Sequence, residues 1–292
     1  MGFLKRSKYI SIILLASIAI LSACGSSDES TAGSGSGEGT TDERWEEIQE
    51  KGEIVVGTSG TLFPASYYED GDDNLTGFEV EVMREVADRM ELDITFEILG
   101  IDSVLPAIQS GRIDVSAMQP TEKREEEFNF SEPYKYSYTT MVVRKDDNSD
   151  INSLEDLEGK KAGGGATTIY SQIAEHFGAE VVTYGNAPNE AYLRDVHNGR
   201  TDVVINDYYL QKFGIAEFPE FDIHLHPDLQ FRPTVKAIAM PKQADQLTEE
   251  INNALQEMRE DGTLSELAIQ FFEEDASQKP DLEMEDIEGL DL

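Results

Sequence analysis

The chain has 292 residues, 59 of them Asp or Glu and 23 Lys or Arg, for a formal net charge of −36. So acidic a surface repels phosphate backbones and anionic headgroups, which argues against nucleic acid and anionic lipid as partners. A single cysteine excludes an internal disulfide, so packing alone must hold the core.

The N-terminus carries Lys5, Arg6 and Lys8, then an apolar run from Tyr9 to Leu21, then Leu21-Ser-Ala-Cys24. A basic start, a short apolar segment and small residues make a secretory signal. The run is shorter than the roughly 18 to 20 residues a spanning helix needs. The cysteine after small residues resembles the bacterial lipoprotein box, which implies cleavage before Cys24 and its diacylglyceryl lipidation. Two acyl chains anchor stably. Loss of residues 1–23 removes three cations and no acid, taking −36 to −39. Residues 24–41, rich in Gly, Ser and Thr, carry no large apolar side chain and read as a flexible stalk. Residues 275–292, acidic and poor in apolar residues, read as a disordered tail.

Between these, residues 42–274 suffice for two lobes. Ile54-Val55-Val56-Gly57 is a buried strand. Phe78, Val82, Val86 and Met90 fall at helical spacing within 77–90. A strand over 94–98, a helix over 104–109 closed by Gly111, and a strand opening at Ile113 complete a β-α-β-α-β alternation. The pattern then restarts. A strand near 160–163 meets a Gly-rich turn and a helix over 169–177. A strand over 181–184, a helix over 189–197 and a strand over 203–205 follow. Ser110-Gly-Arg-Ile-Asp-Val115 and Asn198-Gly-Arg-Thr-Asp-Val203 share one signature, in support of two similar lobes. A strand over 235–240 and helices over 243–260 and 264–272 end the body.

Seven stretches carry a resemblance. They are VGTSGTLFP (56–64), LTGFEVEVMREVADRM (75–90), DSVLPAIQSGRIDV (102–115), TEKREEEFNFSEPY (121–134), SLEDLEGKKAGGGATT (153–168), NGRTDVVINDYYLQ (198–211) and REDGTLSELAIQFF (259–272). In this order they resemble the extracytoplasmic solute-binding proteins of ABC importers, polar amino acid family (family 3), with cystine-type and general amino acid receptors nearest. The resemblance implies an α/β fold of the type II periplasmic-binding-protein kind, two doubly wound lobes joined by a two-strand hinge. Lobe 1 would comprise 42–138 and 235–274, and lobe 2 139–234. The crossings would fall near Tyr138 to Val142 and Phe231 to Val235. Closure around a ligand would be a hinge motion.

The resemblance also implies a role. The protein would bind an amino acid between its lobes and hand it to a membrane permease, as a monomer with no cofactor and no metal. It would sit on the extracellular face of a Gram-positive type of membrane, held by lipid alone. A ligand carboxylate calls for a planar, bidentate cation, and Arg124 stands where the family's carboxylate-binding arginine stands. By its residues alone, Arg124 also reads as a surface arginine among Glu122, Glu125, Glu126 and Glu127. Thr167 and Thr168 follow three glycines and precede a helix, an anion cradle or a helix cap. Asp207 ends an apolar strand at the sheet edge where such folds bind ligands, and matches the family's ammonium-binding aspartate. Ser116, Ala117 and Gln119 lie on the loop before Arg124 and offer hydrogen bonds.

Departures bear on the side-chain pocket. The loop from Asp114 to Arg124 is about two residues shorter than the family usually has. Leu62 and Phe63 precede Pro64, and Ile101 stands where many members carry an aromatic residue. Cystine, another polar amino acid or a related dipolar solute all fit. The competing class is an enzyme on the same fold, dehydratase-like, acting on a small carboxylate. Nothing in the sequence pairs a nucleophile with a base. A hairpin turn explains Asp70, Asp72, Asn74 and Glu81 better than a calcium loop, because position 6 is Leu75. His224 and His226, with no cysteine partner, read as structural rather than metal-binding. The acidic balance also predicts that self-repulsion limits stability unless salt screens it. The melting temperature should rise from low to molar NaCl; a flat or falling series contradicts this.

Overall fold

The computed structural model describes residues 43–69, 73–280, 284, 287, 289 and 290. The signal, Cys24, the stalk, Asp70, Asp72 and part of the expected tail lie outside the described residues. The body opens with α1 (Glu43–Lys51), which buries Trp45 and Ile48. β1 (Glu53–Thr58), β2 (Thr61–Leu62), β3 (Ser66–Tyr68) and β4 (Leu75–Thr76) follow. Then come α2 (Phe78–Arg89), β5 (Asp93–Ile98), α3 (Ile101–Gln109), β6 (Val115–Met118), α4 (Glu122–Glu127) and β7 (Phe128–Phe130). α2 buries Phe78, Val82 and Val86, three of the four residues whose spacing predicted it, with Val80, Met83 and Ala87 widening the stripe; the fourth, Met90, is its C-cap. Gly77 precedes it at φ 121°, where a Cβ would stand 2.5 Å from the Ala65 carbonyl oxygen, so glycine is required there.

β8 (Lys135–Arg144) leads into β9 (Lys161–Gly164), α5 (Ile169–His176), β10 (Glu180–Thr183), α6 (Asn189–His197), β11 (Val204–Asp207) and α7 (Tyr208–Glu217). The 19-residue β12 (Ile223–Pro241) returns, and α8 (Asp245–Glu260) and α9 (Thr263–Phe272) end the helical body. β5, β1 and β6 are parallel neighbours, and β9 pairs parallel with β10. β12 runs antiparallel to β6 and β7 over 237–241 and to β8 over 223–236. β11 pairs with the far part of β8, Val204 opposite Val142 and Asp207 opposite Thr139. The result is the two-lobed α/β architecture, with β8 and β12 passing between the lobes. Helices cover both faces of the first sheet: α1, α2, α8 and α9 on one, α3 on the other.

The two copies of the Gly-Arg-x-Asp-Val signature adopt the same geometry. Gly111 and Gly199 stand at φ 70° and 69°, each just past the end of a helix, the left-handed position that terminates it. The following aspartates then do the same job twice. Asp114 Oδ2 accepts the Val55 amide at 2.7 Å, and Asp202 Oδ2 accepts the Lys161 amide at 2.9 Å. Each thereby ties one strand to the start of its parallel neighbour, and each carries an arginine partner, Arg44 for Asp114 and Arg144 for Asp202.

Two expectations change. The tail was expected from residue 275, but Ala276 and Ser277 are buried and the Ala276 carbonyl accepts the Tyr136 amide at 2.7 Å. The packed body therefore extends at least through Ser277. The last strand was expected over 235–240; it begins at Ile223, interrupted by irregularities between Leu225 and Gln230 and between Phe231 and Pro233. His226 is structural: Nδ1 accepts the Asp228 and Leu229 amides, and Nε2 meets the Ile151 carbonyl at 2.9 Å.

Phe272 is the aromatic hub. Its ring lies 4.8 Å from Phe78 and 4.8 Å from Tyr209, and it is 1% exposed. Phe272→Ala should cost about 3–5 kcal/mol, the range for emptying a buried aromatic site. Urea unfolding at constant m-value measures this; a loss below about 1 kcal/mol would remove Phe272 from the core account.

Candidate functional site

A cavity opens where the carboxyl ends of β6 and β11 approach α3 and α5, at the sheet edge where doubly wound folds present ligand sites. Arg124 reaches it from α4, whose start is fixed by the Thr121 hydroxyl accepting the Arg124 amide at 3.3 Å. The guanidinium donates through Nη1 to the Gln119 carbonyl at 2.8 Å and through Nη2 to the Thr167 carbonyl at 3.0 Å. These carbonyls aim the fork without neutralising it, and Arg124 has no ion pair among the described residues. Burial lowers its pKa, because a guanidinium stripped of water loses hydration energy.

Gln119 lies beside it, buried, donating through Nε2 to the Tyr170 hydroxyl at 2.9 Å. Burial, with Asp207 nearby, pushes the Tyr170 hydroxyl well above its ordinary pKa, so it stays neutral. Thr168 caps α5 by accepting the Ser171 amide at 3.2 Å and lines the same cavity. The helix-cap reading of this threonine is thereby met, and the residue stands at the cavity. Leu62 and Ile101 supply apolar wall, as expected, joined by Met118, Ile169 and Ile205.

Asp207 also reaches the cavity, at the end of β11 and the start of α7, whose Leu210 amide donates to its Oδ1 at 3.1 Å. The same oxygen accepts Lys135 Nζ at 2.9 Å, with the two side chains 7% and 3% exposed. Burial alone would raise the Asp207 pKa. The Lys135 ammonium and the hydrogen bonds outweigh burial, and the carboxyl lies below its ordinary value. A second pair, Lys236 Nζ with Glu79 Oε1 at 3.1 Å, lies on the same wall.

Other expected residues are placed elsewhere. Thr167 turns away from the cavity: its amide and hydroxyl donate to Asp102 Oδ1 at 2.8 and 2.7 Å, and the Ala166 amide approaches Asp102 Oδ2 at 3.4 Å. The carboxylate at the Thr167 cradle is thus one of this chain's own, from the first turn of α3. Ser116 is buried and gives its hydroxyl to the Gly57 carbonyl at 2.7 Å. Ala117 pairs with Ile238 in the sheet, and Phe63 packs edge-on against Tyr67 at 4.8 Å. None of these four is part of the cavity wall.

The sequence reading missed Lys135, Glu79 and Lys236. Lysine is usually a surface residue, so Lys135 drew no notice beside the motif that ends at Tyr134. A signal did exist. Lys135, Ser137 and Thr139 alternate along a strand and are all buried, which marks a polar inner face. Gly165 has a packing role: a Cβ there would come within 2.8 Å of Ile101 Cγ2, so α3 sits directly on the loop before α5.

Comparison with known proteins places this geometry among relatives. The sequence profile of the bacterial extracellular solute-binding proteins, family 3, matches residues 54–274. The chain is 47% identical over 292 residues to the probable ABC transporter extracellular-binding protein YckB of Bacillus subtilis, covering 98% of this chain and 99% of that protein. It is 33% identical over 277 residues to the L-cystine-binding protein TcyA of the same organism, covering 94% and 100%. The crystal structure of YckB superposes with a TM-score of 0.67 at 51% identity, over 84% of this chain and 99% of that one.

The Asp102 contact makes its own prediction. Asp102→Ala should leave the two lobes folded while amide hydrogen exchange at Ala166 and Thr167 speeds up by about fivefold or more, since their acceptor is gone. Unchanged exchange at both amides would show that the contact does not hold this loop.

Proposed function

Because the chain belongs to the bacterial extracellular solute-binding proteins of family 3, we propose that it captures an amino acid or a close derivative between its lobes and delivers it to the permease of an ABC importer. The observation that carries this reading is the Arg124 guanidinium, on the cavity wall and braced by two carbonyls, with no carboxylate partner among the described residues. Such a fork suits a solute carboxylate, which it meets with two parallel charge-assisted bonds. Thr168 stands on the same wall beside Gly164 and Gly165 and adds a hydroxyl. Leu62, Ile101 and Tyr192 offer apolar and aromatic surface to the rest of the solute.

The names of the relatives support capture rather than catalysis: one is a probable extracellular-binding protein of an ABC transporter, the other binds L-cystine. Cystine is therefore a candidate here, alongside other polar amino acids. Asp207 faces the cavity, but its Oδ1 is engaged by Lys135, so its part in reading an ammonium is not that of a vacant acceptor. Lipidation at Cys24 would keep the receptor at the outer membrane face near its permease.

A thermal-shift screen of the amino acids and cystine identifies the cargo. Removing one partner of a desolvated charge contact costs about 2–5 kcal/mol, so Arg124→Ala should weaken affinity for that cargo by roughly thirtyfold or more. Calorimetry showing equal affinity for the variant and the parent protein would refute the site.

A further inference from the structure

The cavity wall carries three cations, Arg124, Lys135 and Lys236, against two carboxylates, Glu79 and Asp207. Two of the cations are already matched within the chain, Lys236 to Glu79 at 3.1 Å and Lys135 to Asp207 at 2.9 Å. Lys135 Nζ is also fixed over the Tyr209 and Phe272 rings, 5.6 and 5.0 Å from their centres, which adds cation–π attraction. The Asp207 oxygen that takes Lys135 takes the Leu210 amide as well. The carboxylate that an incoming ammonium would seek therefore already faces an ammonium. A second one brought beside it would lie against Lys135, and repulsion between like charges grows as water leaves the site. Arg124 differs, since carbonyl oxygens meet it and, among the described residues, no carboxylate does. The wall thus holds one positive charge in excess. A zwitterion leaves that excess in place, whereas a solute of net charge −1 cancels it.

The geometry points to Lys135 as the residue that sets the charge of the cargo: the cavity selects a carboxylate-bearing solute of net charge −1 over its zwitterionic counterpart. This rests on the receptor reading above and narrows it. Lys135 acts through Asp207, as a positioning and charge-setting residue, while Arg124 makes the direct contact. Specificity of this kind works by charge balance, because a net charge of −1 cancels the excess that a zwitterion leaves in place. Two chemistries supply such a solute: an amino acid with a second acidic group, and an amino acid whose nitrogen is acylated.

Calorimetry on the full chain with near-isosteric compounds decides it. The panel is glutamine with glutamate, asparagine with aspartate, and the N-acetyl forms of glutamine and asparagine. At least one anion should bind about tenfold or more tighter than its neutral parent. A preference for glutamate or aspartate identifies the dicarboxylic source, and a preference for an N-acetyl form identifies the blocked nitrogen. Lys135→Met should cut that preference about tenfold or reverse it, since Asp207 is then open to an ammonium. The double variant Lys135→Met with Asp207→Asn leaves neither charge buried alone, which protects folding. It also keeps the excess positive charge, so it should keep the preference for anions; melting curves verify that both variants fold. Tighter binding of the neutral member of every pair overturns this inference and leaves the receptor reading standing. So does a preference that Lys135→Met does not change. Binding of no compound in the panel, nor of any amino acid or cystine, overturns the receptor reading and this inference with it.

Discussion

The antiparallel ladder between β8 and β12 sets two cations of the site side by side. Lys135 is the first residue of β8 and lies opposite Lys236 of β12, and both reach the cavity. Asp207 ends β11 opposite Thr139 of the same β8. Arg124 sits on the segment between β6 and β7, and both of those strands pair with β12. Lys135, Lys236 and Asp207 therefore take their places from one hydrogen-bonded framework, while Arg124 and Glu79 come from α4 and α2. Such placement favours precise charge geometry, because backbone ladders hold side chains more firmly than connecting segments do. It also means that the strands passing between the lobes carry part of the cavity wall.

The parts of this arrangement that were legible in the sequence share a short range. The stripe of Phe78, Val82 and Val86 needs only helical periodicity, and it was found. The Gly-Arg-x-Asp-Val signature needs only a helix end and the strand after it, and both copies fold alike. Arg124, Gln119, Thr168 and Asp207 reach the cavity because their motifs set local backbone direction. What escaped depends on distant partners. Thr167 turns outward because Asp102, 65 residues earlier in the chain, offers it a carboxylate. Lys135 is buried because Asp207, 72 residues later, pairs with it. Neither effect has a spacing that a local pattern could reveal. The first part of β12 was hidden for a different reason. Pro227 and Pro233 break the alternation and coincide with irregular register, so the strand does not read as a strand.

The charge distribution adds a contrast. The chain as a whole is strongly acidic at −36, yet the cavity wall is richer in cations than in carboxylates. At physiological salt the screening length is about 8 Å, so distant surface charges are damped at the cavity and the groups lining it dominate there. The acidic exterior and the basic interior can therefore serve separate ends, solvation of the body on one side and recognition on the other.

The contact of Ile101 with Gly165 brings two parts of the cavity wall together. With hydrogen as the only substituent at 165, the α3 end and the loop before α5 meet without a spacer. A methyl group at that point would stand 2.8 Å from Ile101 Cγ2 and 3.0 Å from Thr168 Cγ2, so one of these neighbours would have to give way. Position 165 therefore leaves no room for a side chain, and any reshaping of the cavity for a bulkier guest has to begin on some other wall.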